Sequence, residues 1–305
     1  MNNLLSQILD NARPSIKLGQ PASYIPELSN TNPEYLGIYM VMQNGCEYMS
    51  GDYDVPFTIQ SISKIIIFLA CLMNCEKEAI GKKVTVEPSN EGFNSIVSLE
   101  NRNENRPFNP MINAGAIASL ALLGESGVKN RVDYILSLIR AMSQNDTVSV
   151  NEKVYRSEKA AGSRNRSLAY YMASTGIICE NVEKLLDDYF KICSLNVTCK
   201  DLARIAAVIS NNGTCPLTGK TYFSYQHAKT IRTVMSLCGM YDESGEYAVK
   251  VGIPSKSGVG GGILAAVPKT AGICVFSPSL NPKGSSIAGL SVLEQLSHIL
   301  DLSIF

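Results

Sequence analysis

The chain reads as an α+β protein, a mainly antiparallel sheet flanked by helices with an all-helical lobe inserted. Three observations predict this. An Asn44-Gly45 dipeptide separates two short apolar runs near the N-terminus, apolar residues recur at helical spacing through the long middle, and β-rich runs return after Met240. Strands drawn from both ends with short turns between them pair most readily antiparallel, because parallel pairing needs long crossovers. The expected sheet domain is therefore discontinuous, 1–60 with 225–305. Residues 61–224 form the expected helical domain, with the functional cleft between the two.

The elements follow in order. Gly37 to Gln43 and Cys46 to Ser50 flank Asn44-Gly45, the pair best suited to a two-residue hairpin turn with positive φ. After the turn-prone Asp52 to Pro56, Ser61-Ile62-Ser63-Lys64 opens a helix through the apolar run Ile65 to Met73. Helical spacing continues over Ile112 to Leu123, Val132 to Met142, Ser167 to Ser174, Val182 to Cys193, Leu202 to Ser210 and Ala228 to Leu237. Thr198-x-x-Asp201 and Ser224 read as helix starts. Strands are expected at Glu246 to Ile253, Gly262 to Val267 and Gly272 to Ser277, then a closing helix from Ser286 to Leu300.

Composition excludes several function classes. The 305 residues, 45% of them hydrophobic, can bury a substantial core without staples. Twenty-seven basic residues balance twenty-seven acidic ones, so no net field draws nucleic acid or an anionic membrane. The expected partner is a small molecule. Nine cysteines without a Cys-x-x-Cys pair, a first segment lacking a basic and apolar leader, and no apolar run near the roughly 18 residues of a membrane helix point to a cytoplasmic protein. His227 and His298 stand outside any catalytic or ligand spacing, which argues against a Ser-His-Asp triad and a metal site. The glycines of Ser257 to Gly262 fit no phosphate-binding loop, so no nucleotide cofactor is expected.

Ser61 and Lys64 carry the chemistry. Three residues apart at a helix start, they share one face, where a partly buried, proton-poor amine can assist a serine nucleophile. Ser63 points elsewhere. Taken with Lys256-Ser257-Gly258, the pair resembles the Ser-x-x-Lys and Lys-Thr/Ser-Gly elements of serine β-lactamases and penicillin-binding proteins, although no Ser-Asp-Asn element occurs.

A closer resemblance, over nearly the whole chain, is to the serine-dependent glutaminases of the β-lactamase-like fold, in their compact bacterial form. Its carriers, in chain order, are Tyr24-Ile25-Pro26, Gln60 to Lys64, Asn109 to Ala116, Glu158 with Arg164-Asn165, Asp188-Tyr189-Phe190 ahead of Cys193-Ser194, and Met240-Tyr241-Asp242 leading to Lys256 to Gly262. The resemblance implies hydrolysis of L-glutamine to L-glutamate and ammonia through a serine acyl-enzyme. Ser61 is then the nucleophile, Lys64 its neighbouring amine and Tyr241 a proton-shuttling phenol whose ionised form a lysine ammonium would favour. Backbone N–H groups of Ser61 and Val259 bind the oxyanion, Glu158 holds the substrate ammonium, and Tyr24, Gln60, Asn113, Asn165 and Tyr189 complete the pocket. A homodimer or homotetramer is implied as well. Two rival readings use the same residues: a penicillin-recognising acyltransferase or lactamase, and a catalytically silent glutamine sensor.

Overall fold

The computed structural model describes residues 1–89, 92, 94–100 and 105–305. Helix α1 (Asn2–Ala12) precedes the hairpin β1 (Gly37–Met42) and β2 (Glu47–Gly51), and short β3 (Phe57–Thr58) leads through a 3₁₀ turn, Gln60–Ile62, into α2 (Ser63–Asn74). The middle of the chain is helical: α3 (Lys77–Lys83), α4 (Val97–Glu100), α5 (Asn113–Glu125), α6 (Arg131–Ser143), α7 (Glu152–Ala161), α8 (Ser163–Ser174) and α9 (Val182–Cys193). Then come β4 (Asn196–Val197), α10 (Cys199–Ser210), α11 (Tyr225–Cys238), α12 (Ser244–Lys250), β5 (Ser255–Ser257), β6 (Gly262–Val267), β7 (Ala271–Phe276) and α13 (Ile287–Leu300).

The five-stranded sheet has the order β2-β1-β7-β6-β5 and is antiparallel throughout. The N-terminal hairpin joins the C-terminal strands through β1 and β7, in the register Tyr39 to Cys274. Period-two alternation separates two cores. Ile38, Met40, Ile263, Ala265 and Ile273 face α1 and α13, with Leu5, Ile8, Val292 and Leu296 packed on them. Tyr39, Val41, Leu264, Cys274 and Phe276 face the larger core shared with α10 and the helical region. Gly272 lets α10 lie directly on β7, since a Cβ there would come within 2.0 Å of the Ala207 nitrogen.

Helices α9, α10, α11 and α13 follow the expected pattern closely; the hairpin forms too, but residues 43–45 make a three-residue loop, with Gly45 N donating to Met42 O and Gly45 rather than Asn44 at positive φ, in place of the expected two-residue turn. Residues 246–253 do not form the expected strand. They form most of α12 and its C-terminal turn, because the alternating apolar residues do not share a buried face: Tyr247 and Val251, four apart, are buried, while Val249 between them is 89% exposed. The sheet's fifth strand is instead Ser255–Ser257, whose Ser-Lys-Ser sequence carries no apolar strand signal although all three residues are buried. Helix α7 also goes beyond the expected elements, having only Val154 and Glu158 buried and thus no apolar stripe.

Two local features fix the nucleophile's surroundings. Ile59 N donates to Leu195 O at 2.8 Å, tying the residue before the 3₁₀ turn to the segment that follows α9. The start of α5 is pressed against the Asn109-Pro110 backbone, where Gly115 is required: a Cβ would stand 1.8 Å from Asn109 O. Gly115→Ala is expected to destabilise the fold by about 2–4 kcal/mol, through displaced backbone in a close-packed interior. Urea unfolding with an unchanged midpoint would contradict this.

Candidate active site

Ser61 sits in the turn just before α2, and Lys64 lies on the helix's first turn. Lys64 Nζ donates to Ser61 Oγ at 2.6 Å, a short bond between two buried groups. The residue before Ser61, Gln60, has φ 48°, and Tyr241 has φ 54°, both in the left-handed region that side chains avoid. Strained backbone at two residues around one serine marks a place where geometry outweighs local comfort.

A cavity of about 150 Å³ opens in front of Ser61. It gathers Tyr24, Gln60, Ser61, Lys64, Asn113, Glu158, Asn165 and Tyr189, eight of the residues expected from sequence. Its size suits a small polar molecule rather than a drug-sized ligand, which needs about 300–1,000 Å³. Asn113, the first residue of α5, donates through Nδ2 to Asn165 Oδ1 at 2.9 Å, fixing both amides. Gln60 Nε2 donates to Thr58 Oγ1 at 3.2 Å, and the Gln60 side chain also hydrogen-bonds Glu158. Arg131, itself buried, bridges Glu180 at 2.5 Å and Asp188 at 2.9 Å, holding the turn of α9 that carries Tyr189. Tyr24 is 57% exposed and forms the cavity's rim.

Tyr241 and Val259 lie elsewhere. Tyr241 is buried, outside this cavity's lining, and its phenol is electrostatically coupled to Ser61. Val259 lines a neighbouring cavity that shares Tyr24. Its loop is nonetheless packed on the approach to the nucleophile: a Cβ on Gly260 would meet Thr58 O at 2.4 Å, and one on Gly258 would meet Ile59 O at 3.0 Å. Lys256 Nζ sits 3.6 Å from the centre of the Tyr241 ring and donates to Gly239 O and Ser257 O at 2.9 and 2.8 Å.

Burial dominates the electrostatics. It pushes the Lys64 ammonium down to about 8, against the opposing pull of Cys193 and Glu158. Glu158 is pushed up to about 7 by burial, although the Gln60 hydrogen bond and Lys64 favour its ionised form. Lys256 is driven well below the ordinary lysine range by burial and by Lys64. For Tyr241, burial outweighs the opposing influence of Ser61 and raises the phenol well above its usual value, so the expectation of a favoured phenolate is reversed.

The cavity also contains residues not expected as site members: Ile25, Asn94, Ala161, Gly162, Arg164 and Cys193. Cys193 had a legible signal, standing four residues after Tyr189 on one helical face. All nine cysteines are free, and among the described residues no cluster of three or more His, Cys, Asp or Glu could hold a metal ion. No described helix is long and apolar enough to cross a membrane.

An antiparallel sheet flanked by helices, with a serine bonded to a buried lysine at a helix start, places this architecture in the β-lactamase-like class. The chain belongs to the glutaminase family, whose model, described as "Glutaminase", matches residues 19–305. It is 52% identical to the glutaminase of Clostridium tetani (strain Massachusetts / E88) over 305 residues, covering all of both chains. Among solved structures, it is similar to the probable glutaminase of Bacillus subtilis, with a TM-score of 0.93 and 34% identity over 100% of this chain and 97% of that one. It is likewise similar to Mglu "in its glutamate form", with a TM-score of 0.94 and 36% identity over 99% of this chain and 69% of the other.

Proposed function

We propose that the protein hydrolyses L-glutamine to L-glutamate and ammonia through an acyl-enzyme on Ser61. The observation that carries this reading is the 2.6 Å Lys64–Ser61 hydrogen bond at the wall of a small cavity that also holds Glu158. Family membership supports the substrate.

Lys64 is the first proton acceptor in this scheme. Held at about 8, it is partly neutral near pH 7.5, whereas Tyr241 is a raised, neutral phenol suited to passing a proton on rather than taking the first one. Ser61 Oγ attacks the side-chain amide carbon, and backbone N–H groups of Ser61 and Val259 receive the oxyanion. The proton travels to the departing nitrogen through Lys64 and Tyr241. Ammonia leaves, and water then attacks the acyl-enzyme to free glutamate. Glu158 pairs with the substrate's α-ammonium; Asn113, Asn165, Gln60, Tyr24 and Tyr189 orient the remainder without adding charge.

Two displaced titrations set a pH profile. Lys64 must be neutral and Glu158 anionic in the free enzyme, so kcat/KM is expected to fall with unit slope below about pH 8 and more steeply below about pH 7. Glu158→Gln removes the second bend and raises KM for glutamine by about 10- to 100-fold, the loss of a buried charge-assisted contact. A profile flat between pH 6 and 8 would overturn the assignment of both groups.

The working setting proposed is cytoplasmic, and the assembly a homodimer or homotetramer.

A further inference from the structure

We propose that Cys193 is a positioning residue for this reaction, the thiol on which the Tyr189 and Ser63 hydroxyls converge so that Tyr189 is held beside the Ser61–Lys64 pair. This role presupposes Ser61 as the nucleophile of a glutaminase. Cys193 lines the cavity yet is only 5% exposed. Its Sγ lies 3.7 Å from Ser63 Oγ at the start of α2, and Tyr189, one turn earlier on the same face of α9, brings its hydroxyl into interaction with the thiol. One sulfur thereby keys α9 to the first turn of the helix that carries Lys64. Lys64 Nζ, in turn, lies 6.0 Å from the centre of the Tyr189 ring.

The choice of a thiol has a physical basis. Burial pushes Cys193 up to about 11, so it stays neutral wherever the enzyme works. A carboxylate in its place would accept the same two hydroxyls but would also hold Lys64 protonated, removing the base. Alanine would leave the Tyr189 hydroxyl, on a residue 2% exposed, without this partner. The ring would then have reason to turn away from the reacting end.

The test is a double-mutant cycle on purified enzyme with L-glutamine, using Cys193→Ala, Tyr189→Phe, their combination, and Cys193→Ser. Cys193→Ala is expected to lower kcat about 10-fold, the scale of one lost hydrogen bond, with KM changed less than about twofold. Cys193→Ser should recover most of that loss by restoring a polar partner. The combined variant should be no slower than Tyr189→Phe alone, because the cysteine acts through the phenol. Wild-type kcat in Cys193→Ala with a lowered Tm, additive losses in the cycle, or no recovery by serine would each overturn the proposal. Silence of the wild-type protein toward glutamine would instead defeat the reading on which it rests.

Discussion

Ser61→Ala is expected to abolish glutamine turnover, by about 10⁴-fold or more, while leaving glutamine binding within a few-fold of wild type. The first half follows from the covalent step: without Oγ there is no atom to form the acyl-enzyme, and removing a serine nucleophile typically costs losses of this order. No neighbour replaces it. Ser63, two residues on, is fully buried and faces Cys193 rather than the cavity. The second half follows from the proposed division of labour in the pocket, which assigns the amino-acid end to Glu158 and to the Asn113–Asn165 pair, whose mutual hydrogen bond does not involve Ser61. Ammonia release and titration calorimetry measure the two halves separately. Residual turnover above about 1% would remove Ser61 from its role, and a matched loss of binding would mean that the alanine had rebuilt the pocket.

What the sequence made legible tracks the physical source of each signal. The β1–β2 hairpin was readable because Asn44-Gly45 serves one backbone need, met by Gly45 at φ 82°. Helix α9 was readable because its apolar residues share one face. Residues 246–253 misled because alternation is a strand signal only when alternate residues share an environment, and Val249 points to solvent while Tyr247 does not. Lys256, fully buried, shows the opposite limit: a charged residue in a core strand is dictated by the Tyr241 ring and two carbonyls, most of them remote from it in sequence. Site residues were legible as motifs, but their geometry was not. Tyr241 reaches Ser61 from outside the cavity, and Val259 stands beside a different one. Cys193 stood in a segment that carried the family resemblance but with no role attached, and its place on α9 one turn after Tyr189 is what points to one.

Lys64→Met should cost about 10³- to 10⁴-fold in turnover and, at the same time, raise stability. The catalytic loss reflects the missing proton acceptor beside Ser61, since general-base assistance alone contributes about 10²- to 10⁴-fold. The stability gain comes from linkage. In the unfolded chain the amine has its ordinary value of 10.5; in the fold it is held at about 8. Between these pH values the folded state binds fewer protons, so wild-type stability rises with pH through this window and falls as pH drops toward 8. Below pH 8 the full cost of a buried ammonium is present, roughly 3 kcal/mol, from about 1.36 kcal/mol for each pH unit that separates the folded and unfolded values. Methionine, similar in length and uncharged, removes that cost and fills the space beside the Tyr189 ring. The variant should therefore unfold at higher urea than wild type at pH 7, with the gap closing as pH approaches 10.5. A Lys64→Met protein less stable than wild type at pH 7 would show that the amine's contacts with Ser61, Glu158 and Cys193 outweigh its desolvation, and that the lysine is held by a favourable network rather than kept, at a cost, for catalysis.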